Sequence, residues 1–142
     1  MKKILCVCIG NGDRSPVLAA VLGMMLKSAG HDVVCESAGI GDSAKKGGAA
    51  KFGIVAAKRI GLDISCHTRR HVGDLDLASY DLVVCVSDEI AAKMMAFWVP
   101  MSKVYTAPIA NPWPVQFQQD FDEQAVPAIL AAAYRIVTRY FP

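Results

Sequence analysis

The chain has 142 residues and a formal net charge of +2, with 54% hydrophobic and 20% charged residues. This length and balance predict one globular domain spanning residues 1–142, with a core large enough to fold alone. The small charge, without a basic stripe interleaved with aromatic residues, excludes a typical nucleic-acid-binding protein. No apolar run approaches the ~20 residues of a membrane span, so we expect neither nucleic acid nor a membrane as a partner.

Five cysteines occur at irregular spacing and form no CxxC pair: Cys6, Cys8, Cys35, Cys66 and Cys85. This pattern indicates neither a zinc site nor a disulfide framework, so no metal and no cofactor is expected. Free thiols are typical of a reducing compartment, and the chain begins without the longer apolar segment and cleavage site of a signal peptide. Both features predict a cytoplasmic protein.

Strand and helix patterns alternate along the chain. Short apolar runs predict strands at residues 4–7, 33–35, 81–86 and 103–106. Helical spacing predicts helices at residues 16–29, 49–60, 87–97 and 123–140. Ser15 is the predicted N-cap of the first helix, and Pro127 is expected to weaken or kink the last. The alternation predicts an α/β three-layer sandwich, in which a four-stranded parallel sheet carries helices on both faces.

The loop from Cys8 to Pro16 follows the first strand and precedes the first helix. A glycine-containing loop in this position collects backbone N–H groups, and the positive end of the helix dipole points to the same place. Such donors favour a thiolate, and a guanidinium six residues later can hold two oxygens of a phosphate. Cys8 and Arg14 therefore predict a site that takes a phosphoryl group onto sulfur, at the sheet edge where open α/β folds bind ligands.

The spacing Cys-x5-Arg-Ser directly after an N-terminal strand resembles the low-molecular-weight protein tyrosine phosphatases and the arsenate reductases that share their fold. The matching residues are 7–11 and 14–16. The resemblance implies that Cys8 attacks phosphorus, that Arg14 binds the phosphate, and that Ser15 steadies the thiolate. The phosphate-binding loop then comprises Ile9, Gly10, Asn11, Gly12, Asp13 and Arg14. The alternative is a glycine turn with a buried structural cysteine, which would need neither the cysteine nor the arginine at this spacing.

Two further segments resemble the family. Residues 36–40 contain Ser37, which the resemblance implies orients Asn11; the alternative is a serine in an ordinary turn. Residues 63–70 contain His67, which the resemblance implies supports the phosphate loop from behind. The alternative for His67 is a histidine that is simply satisfied at the surface or in the core.

Neighbouring polar segments are expected to face solvent. Residues 41–48 are predicted to be polar and flexible at the rim of the site, where the family carries a large side chain and this chain has no aromatic residue before Phe52. Exposed or solvated positions are expected at Arg69, Arg70, His31 and His71. Residues 94–98, including Trp98, are expected in the core or at the rim.

Asn111 departs from the family pattern. The phosphatases carry Asp-Pro-aromatic before the last helix, and the aspartic acid protonates the leaving phenolate oxygen; here Pro112 and Trp113 match but Asn111 replaces the acid. An amide can donate a hydrogen bond but cannot deliver a proton, and general acid catalysis is typically worth about 10²–10⁴-fold. Reduced or atypical activity is therefore expected, with good leaving groups affected least. Trp113 is expected at the substrate rim.

Asp13 is the second departure. The family usually has a second cysteine here, which can form a protective disulfide with the nucleophile; with Asp13 that disulfide with Cys8 cannot form. A carboxylate that faces the site would oppose both a thiolate and a bound dianion. A bolder hypothesis makes Asp13 a relocated acid that replaces the one lost at Asn111. The preferred alternative is that Asp13 turns outward and pairs with a lysine.

Three functions fit the sequence. The first is a cysteine-dependent phosphatase of phosphotyrosine or small aryl phosphates that forms a thiophosphate on Cys8. The second is an arsenate reductase of the same fold, for which Cys66 or Cys85 would have to resolve the arsenic–thiol adduct, although Ala92 stands where a partner of Cys85 is expected. The third is a catalytically impaired protein that binds a phosphorylated ligand or another oxyanion. The partner is accordingly a phosphorylated protein, a small aryl phosphate or another oxyanion, and the chain a monomer or weak dimer.

Overall fold

A four-stranded parallel sheet forms the centre of the molecule, as seen in a computed structural model that describes residues 1–111 and 117–142. Its strands are β1 (Lys3–Cys8), β2 (Val34–Gly39), β3 (Leu82–Cys85) and β4 (Val104–Thr106). Their order is β2-β1-β3-β4, and every neighbouring pair is parallel. The predicted fold class is confirmed.

Five α-helices surround this sheet in the described part of the chain. They are α1 (Arg14–Ser28), α2 (Lys51–Arg59), α3 (Asp88–Met94), α4 (Gln118–Gln124) and α5 (Val126–Tyr140). Helix α1 packs against β1, β2 and α5, α3 packs against β3 and β4, and α2 packs against α4. No helix among the described residues is both long and apolar enough to cross a lipid bilayer.

The core lies where the two central strands meet the helices. Residues 4–8 of β1 and all of β3 are buried, as expected for parallel strands that are covered on both faces. Val17, Leu18, Val21 and Leu22 of α1 are fully buried at the spacing of one helical face. The apolar pattern of the sequence therefore fixes the first strand and helix against each other, with the loop between them at the edge of the sheet.

Three element boundaries differ from the prediction. Helix α1 begins at Arg14 with Asp13 at the N-cap position, so Ser15 lies inside the first turn and does not cap it. Strand β2 continues through Ser37 to Gly39, because it pairs with β1 along its whole length. The last helix is divided at Ala125, and Pro127 falls in the first turn of α5, where a missing N–H breaks no helical bond.

Some expected exposures are also wrong. Residues 42–45 form a short 3₁₀ turn in which Ala44 is buried, whereas residues 45–48 are exposed as expected. Trp98 is 93% exposed with φ of 66°, so it belongs to neither core nor site rim. His71 is half-buried, where its Nδ1 accepts the N–H of Gly73, and His31 packs on the ring of Phe141.

Candidate active site

Cys8 lies at the carboxyl end of β1 and is 2% exposed. Its Sγ accepts the backbone N–H of Asn11 at 3.2 Å and lies 2.9 Å from Ser15 Oγ. Ser15 Oγ in turn accepts an N–H from Asn11 Nδ2 at 2.9 Å. The Ser15 hydroxyl keeps its own proton to donate, either to Cys8 Sγ or to the carbonyl oxygen of Ala38, which lies 3.3 Å away. Two donors can therefore stabilise a charged sulfur.

Asn11 holds the shape of the loop. It is fully buried and has φ of 54°, a left-handed conformation that asparagine tolerates better than most residues. Its Nδ2 also donates to Ser37 Oγ at 2.9 Å, and its Oδ1 accepts the backbone N–H of Arg70 at the same distance. Strand β2 and the chain near Arg70 thus both hold Asn11 in this conformation.

His67 contacts the loop through the carbonyl oxygen of Asn11, which lies 2.8 Å from His67 Nε2. A carbonyl can only accept, so Nε2 carries the proton. Burial lowers the pKa of His67, and the charges of Arg70 and Arg69 lower it further, although the bond to Asn11 acts in the opposite direction. His67 therefore donates as a neutral imidazole at neutral pH.

Arg14 follows the loop at the start of α1 and is 6% exposed. Its Nη1 donates to the carbonyl of Ile109 at 2.9 Å, a residue that follows β4. Burial lowers the pKa of the guanidinium, while the nearby Cys8 and Asp13 raise it. The side chain is therefore held in one orientation beside the sulfur.

A cavity of about 480 Å³ opens onto this loop. It is lined by Cys8, Ile9, Gly10, Gly12, Asp13, Arg14, Ser43, Ala50, Arg69 and Asn111. The cavity thus collects the predicted nucleophile, the predicted phosphate-binding residues except the buried Asn11, and the residue at the acid position. Asn111 is exposed at this cavity. The predicted rim residue Trp113 lies outside the described residues, as does Pro112.

Asp13 does not turn outward to a lysine. Its Oδ1 accepts the backbone N–H of Gly53 in α2 at 2.9 Å, and no ion pair in the described part of the chain joins it to a lysine. Burial raises the pKa of this carboxyl, although the Gly53 N–H and the charges of Arg69 and Arg14 act against that rise. A half-buried carboxyl group therefore shares the cavity with the sulfur.

Arg69 and Arg70 are the site residues that the sequence analysis missed. Arg69 Nε donates to Gly48 O at 2.8 Å, and its Nη1 lies 3.3 Å from both Gly10 O and Ser43 O. Besides its N–H bond to Asn11, Arg70 pairs with Glu36 at 3.2 Å. The predicted exposed face is wrong because backbone carbonyls and a carboxylate from distant segments enclose both side chains. The one available clue is that both follow His67 directly.

The two cysteines considered as resolving thiols lie in different environments. Cys85 is fully buried in β3, and burial raises its pKa to about 12. Cys66 is exposed between α2 and β3. A thiol as buried and as weakly acidic as Cys85 is a poor nucleophile at neutral pH.

A parallel α/β sheet with a Cys-x5-Arg loop at the carboxyl end of its first strand is the arrangement that the resemblance predicted, and the family comparison decides to which class it belongs. The model of the family described as low molecular weight phosphotyrosine protein phosphatase matches residues 3–111, and the chain belongs to this family. The match includes Cys8, Arg14 and Asn111. No curated protein matches the sequence.

Solved structures of similar fold cover nearly the whole chain. The low molecular weight protein tyrosine phosphatase of T. tengcongensis is 21% identical, with a TM-score of 0.87 over 98% of this chain and 99% of its own. Vibrio vulnificus Wzb in complex with benzylphosphonate is 24% identical, with a TM-score of 0.83 over 97% and 98%. A mutant of YwlE from Bacillus subtilis is 19% identical, with a TM-score of 0.85 over the full length of both chains. These structures share the fold of this chain.

Proposed function

We propose that the protein is a cysteine-dependent phosphatase of phosphotyrosine or aryl phosphate type, in which Cys8 is the nucleophile. The observation that carries this proposal is the position of Cys8 Sγ. It lies within hydrogen-bonding distance of the Asn11 N–H and the Ser15 hydroxyl, in the same cavity as the Arg14 guanidinium. A structural cysteine would need neither the donors nor the cation.

The reaction proceeds in two displacements at phosphorus. Cys8 Sγ attacks, the Sγ–P bond forms, and the P–O bond to the leaving group breaks with its electron pair on that oxygen. Arg14 and the backbone N–H groups of the loop, other than that of Asn11 which donates to Cys8 Sγ, bind the three remaining phosphate oxygens, because stabilisation of charge by preorganised donors dominates phosphoryl transfer. Water then attacks the thiophosphate, and the Sγ–P bond breaks to release phosphate, with the Ser15 hydroxyl donating to the departing sulfur.

Three residues around the loop act as positioning residues. Ser37 and Arg70 hold the side chain of Asn11, and His67 holds its carbonyl, so the left-handed turn persists without a ligand. A preorganised loop needs no rearrangement when the phosphate charge develops, and this is where its catalytic advantage lies.

Activity on ordinary esters is reduced because Asn111 occupies the acid position. The leaving oxygen must depart without a proton from this residue, which costs up to about 10²–10⁴-fold for a poor leaving group. Free thiols throughout the chain favour a reducing compartment, so we place the enzyme in the cytoplasm with a phosphorylated protein or a small aryl phosphate as substrate.

The test is hydrolysis of para-nitrophenyl phosphate across pH by the parent, Cys8→Ser, Asn111→Asp and the control Cys66→Ser. We expect turnover in the parent and in Cys66→Ser, none in Cys8→Ser, and faster turnover in Asn111→Asp. Silence of both the parent and Asn111→Asp under reducing conditions would overturn the phosphatase proposal. Retained phosphate binding would then favour an oxyanion-binding protein, whereas arsenate-dependent thiol oxidation would favour the reductase, against which the burial of Cys85 argues.

A further inference from the structure

Arg69 brings a second guanidinium to the cavity of Cys8. Three backbone carbonyls, those of Gly48, Gly10 and Ser43, fix its orientation. Among residues 1–111 and 117–142 no ion pair includes Arg69, although its charge acts on the carboxyl of Asp13, which lines the same cavity. Neutral acceptors orient a guanidinium without cancelling its charge, so that charge is available to a ligand.

Glycines bring this guanidinium directly onto the phosphate loop. A Cβ atom at Gly12 would lie 2.7 Å from Arg69 Nη2, and one at Gly10 would lie 3.5 Å from Nη1. No loop side chain therefore separates Arg69 from a group bound above the loop at these two positions. Because Arg69 lines the same cavity as Cys8, its guanidinium lies near a ligand bound at the loop.

The flank of the cavity that carries Arg69 is basic. Arg14 and Arg69 line the cavity together with one carboxyl group, that of Asp13. No Asp or Glu occurs between Asp42 and Asp63, where Lys46 and Lys51 are exposed and Lys45 pairs with Asp42 at 3.1 Å. None of the described residues that line the cavity is aromatic. The described walls therefore offer positive charge to the leaving group.

The acid position points to the same kind of leaving group. Asn111 supplies no proton, so an alkoxide or phenolate would have to depart as a strong base. A carboxylate or a phosphate departs as a stable anion and needs no proton. Replacement of an acid by an amide also removes a negative charge that would repel such an anion from the cavity.

We propose that the same site, besides aryl phosphates, accepts a phosphoanhydride as its preferred substrate, either an acyl phosphate or a diphosphate, whose anionic leaving group is bound by Arg69. This inference rests on the proposed function, because Cys8 remains the nucleophile. Cys8 Sγ forms the bond to phosphorus, and the bridging P–O bond breaks with its electron pair on the carboxylate or phosphate beside Arg69. Water then hydrolyses the thiophosphate, so that an acyl phosphate dianion and water give a carboxylate and dihydrogen phosphate, with no other reactant.

The experiment compares kcat/KM for acetyl phosphate, inorganic diphosphate and phenyl phosphate in the parent, Arg69→Gln and Arg69→Lys. Cys8→Ser serves as the blank for spontaneous hydrolysis. We expect the parent to prefer at least one anhydride over phenyl phosphate, and Arg69→Gln to lower that preference by about tenfold or more. Loss of one donor aimed at developing charge costs about 10²–10³-fold in an enclosed site, and Arg69 is half-buried. Arg69→Lys keeps the charge and should keep part of the preference.

Binding of inert analogues gives a second measurement that does not depend on turnover. Phosphonoacetate, with a carboxylate beside its phosphonate, should inhibit or bind the parent more tightly than phenylphosphonate, and Arg69→Gln should remove the difference. A preference for acetyl phosphate would identify a carboxylate as the leaving group, and a preference for diphosphate would identify a phosphate. A parent that prefers phenyl phosphate, or a preference unchanged in Arg69→Gln, overturns the inference even when Cys8-dependent hydrolysis persists. If the parent hydrolyses none of the three substrates faster than Cys8→Ser does, the proposed function is overturned instead.

Discussion

Asp13 and Arg14 are adjacent residues with opposite effects on an anion in the cavity. Arg14 attracts a bound phosphate, whereas a charged Asp13 repels it. The hypothesis that Asp13 is the relocated acid meets a geometric difficulty. In an in-line displacement the leaving group departs on the side of phosphorus opposite to Cys8 Sγ, whereas the carboxyl of Asp13 is held by the Gly53 N–H of α2 at 2.9 Å. We therefore expect Asp13 to act through its charge.

The substitution Asp13→Asn tests this expectation. Asparagine keeps an oxygen that can accept the Gly53 N–H but removes the charge. We expect inhibition by inorganic phosphate to tighten by about tenfold at a pH where Asp13 is ionised, the size of a repulsion of ~1–2 kcal/mol between charges several ångströms apart near a protein surface. The advantage should shrink as the pH falls through the raised pKa of Asp13.

The measurement is the inhibition constant of phosphate between pH 4 and 8 for the parent, Asp13→Asn and Asp32→Asn, which removes an exposed carboxyl outside the cavity. Asp32→Asn should behave as the parent. Loss of turnover in Asp13→Asn with unchanged phosphate binding would contradict the charge effect and restore the relocated acid.

At the scale of elements, helix α2 is fitted against the phosphate loop through Gly53. A Cβ atom there would lie 2.6 Å from Asp13 Oδ1 and 3.2 Å from Asp13 Cα. Gly23 in α1 is the contrasting case, since its nearest neighbour would be Cys35 Cβ at 3.9 Å, an ordinary contact. The two helical glycines therefore have different effects. Gly53 permits the close approach of α2 to Asp13, whereas Gly23 only lowers the stability of α1.

The variants Gly23→Ala and Gly53→Ala should change stability in opposite directions. Gly23→Ala should stabilise the protein by about 0.5–1 kcal/mol, because alanine restricts the unfolded chain and favours the helix. Gly53→Ala should destabilise it by about 1–3 kcal/mol through overpacking against the loop. Urea unfolding of both variants is the measurement. Stabilisation by both would show that α2 can move away from Asp13 at little cost.

The sequence predicted the elements far better than the contacts between distant segments. The first strand, the loop and the first helix are contiguous in sequence. The spacing of apolar residues and the Cys-x5-Arg spacing were therefore sufficient to locate Cys8 and Arg14. Arg69 escaped prediction because its partners are the carbonyls of Gly10, Ser43 and Gly48, and a carbonyl leaves no trace in residue type. The start of α1 at Arg14 was missed for a related reason, since Ser15 turns to Cys8 and does not cap the helix.

At the scale of the whole molecule, the parallel sheet assembles the site from the carboxyl ends of three of its four strands. Cys8 ends β1, Ser37 lies near the end of β2, and Asn111 follows β4. Because carboxyl ends of parallel strands meet at one edge, these residues converge although they are far apart in the chain. The cavity therefore exists only when the whole domain is folded. For this reason the charges in it contribute to the free energy of unfolding.

This coupling gives a prediction for stability as a function of pH. The pKa of Asp13 is higher in the folded protein than the ordinary value of 3.8, mainly because of burial, so the folded state binds this proton more tightly than the unfolded state. The contribution of Asp13 to stability therefore falls as the pH rises from 3.8 through the raised pKa of the folded protein, and it is constant at higher pH. Asp13→Asn should raise the free energy of unfolding at pH 7, and the gain should disappear towards pH 3.

Asp81 provides the matched control with the opposite sign. Its Oδ2 accepts the backbone N–H groups of Lys2 and Lys3 at 2.7 and 2.9 Å, and these bonds lower its pKa. Its ionised form is favoured by folding, so Asp81→Asn should lower stability at pH 7, with the loss fading as the pH falls below the ordinary carboxyl value. Unfolding of both variants by denaturant between pH 3 and 8 should thus give differences from the parent of opposite sign that converge in acid. A difference for Asp13→Asn that stays constant with pH would mean that the carboxyl is not desolvated in the cavity, and its repulsion of phosphate would then lose its physical basis.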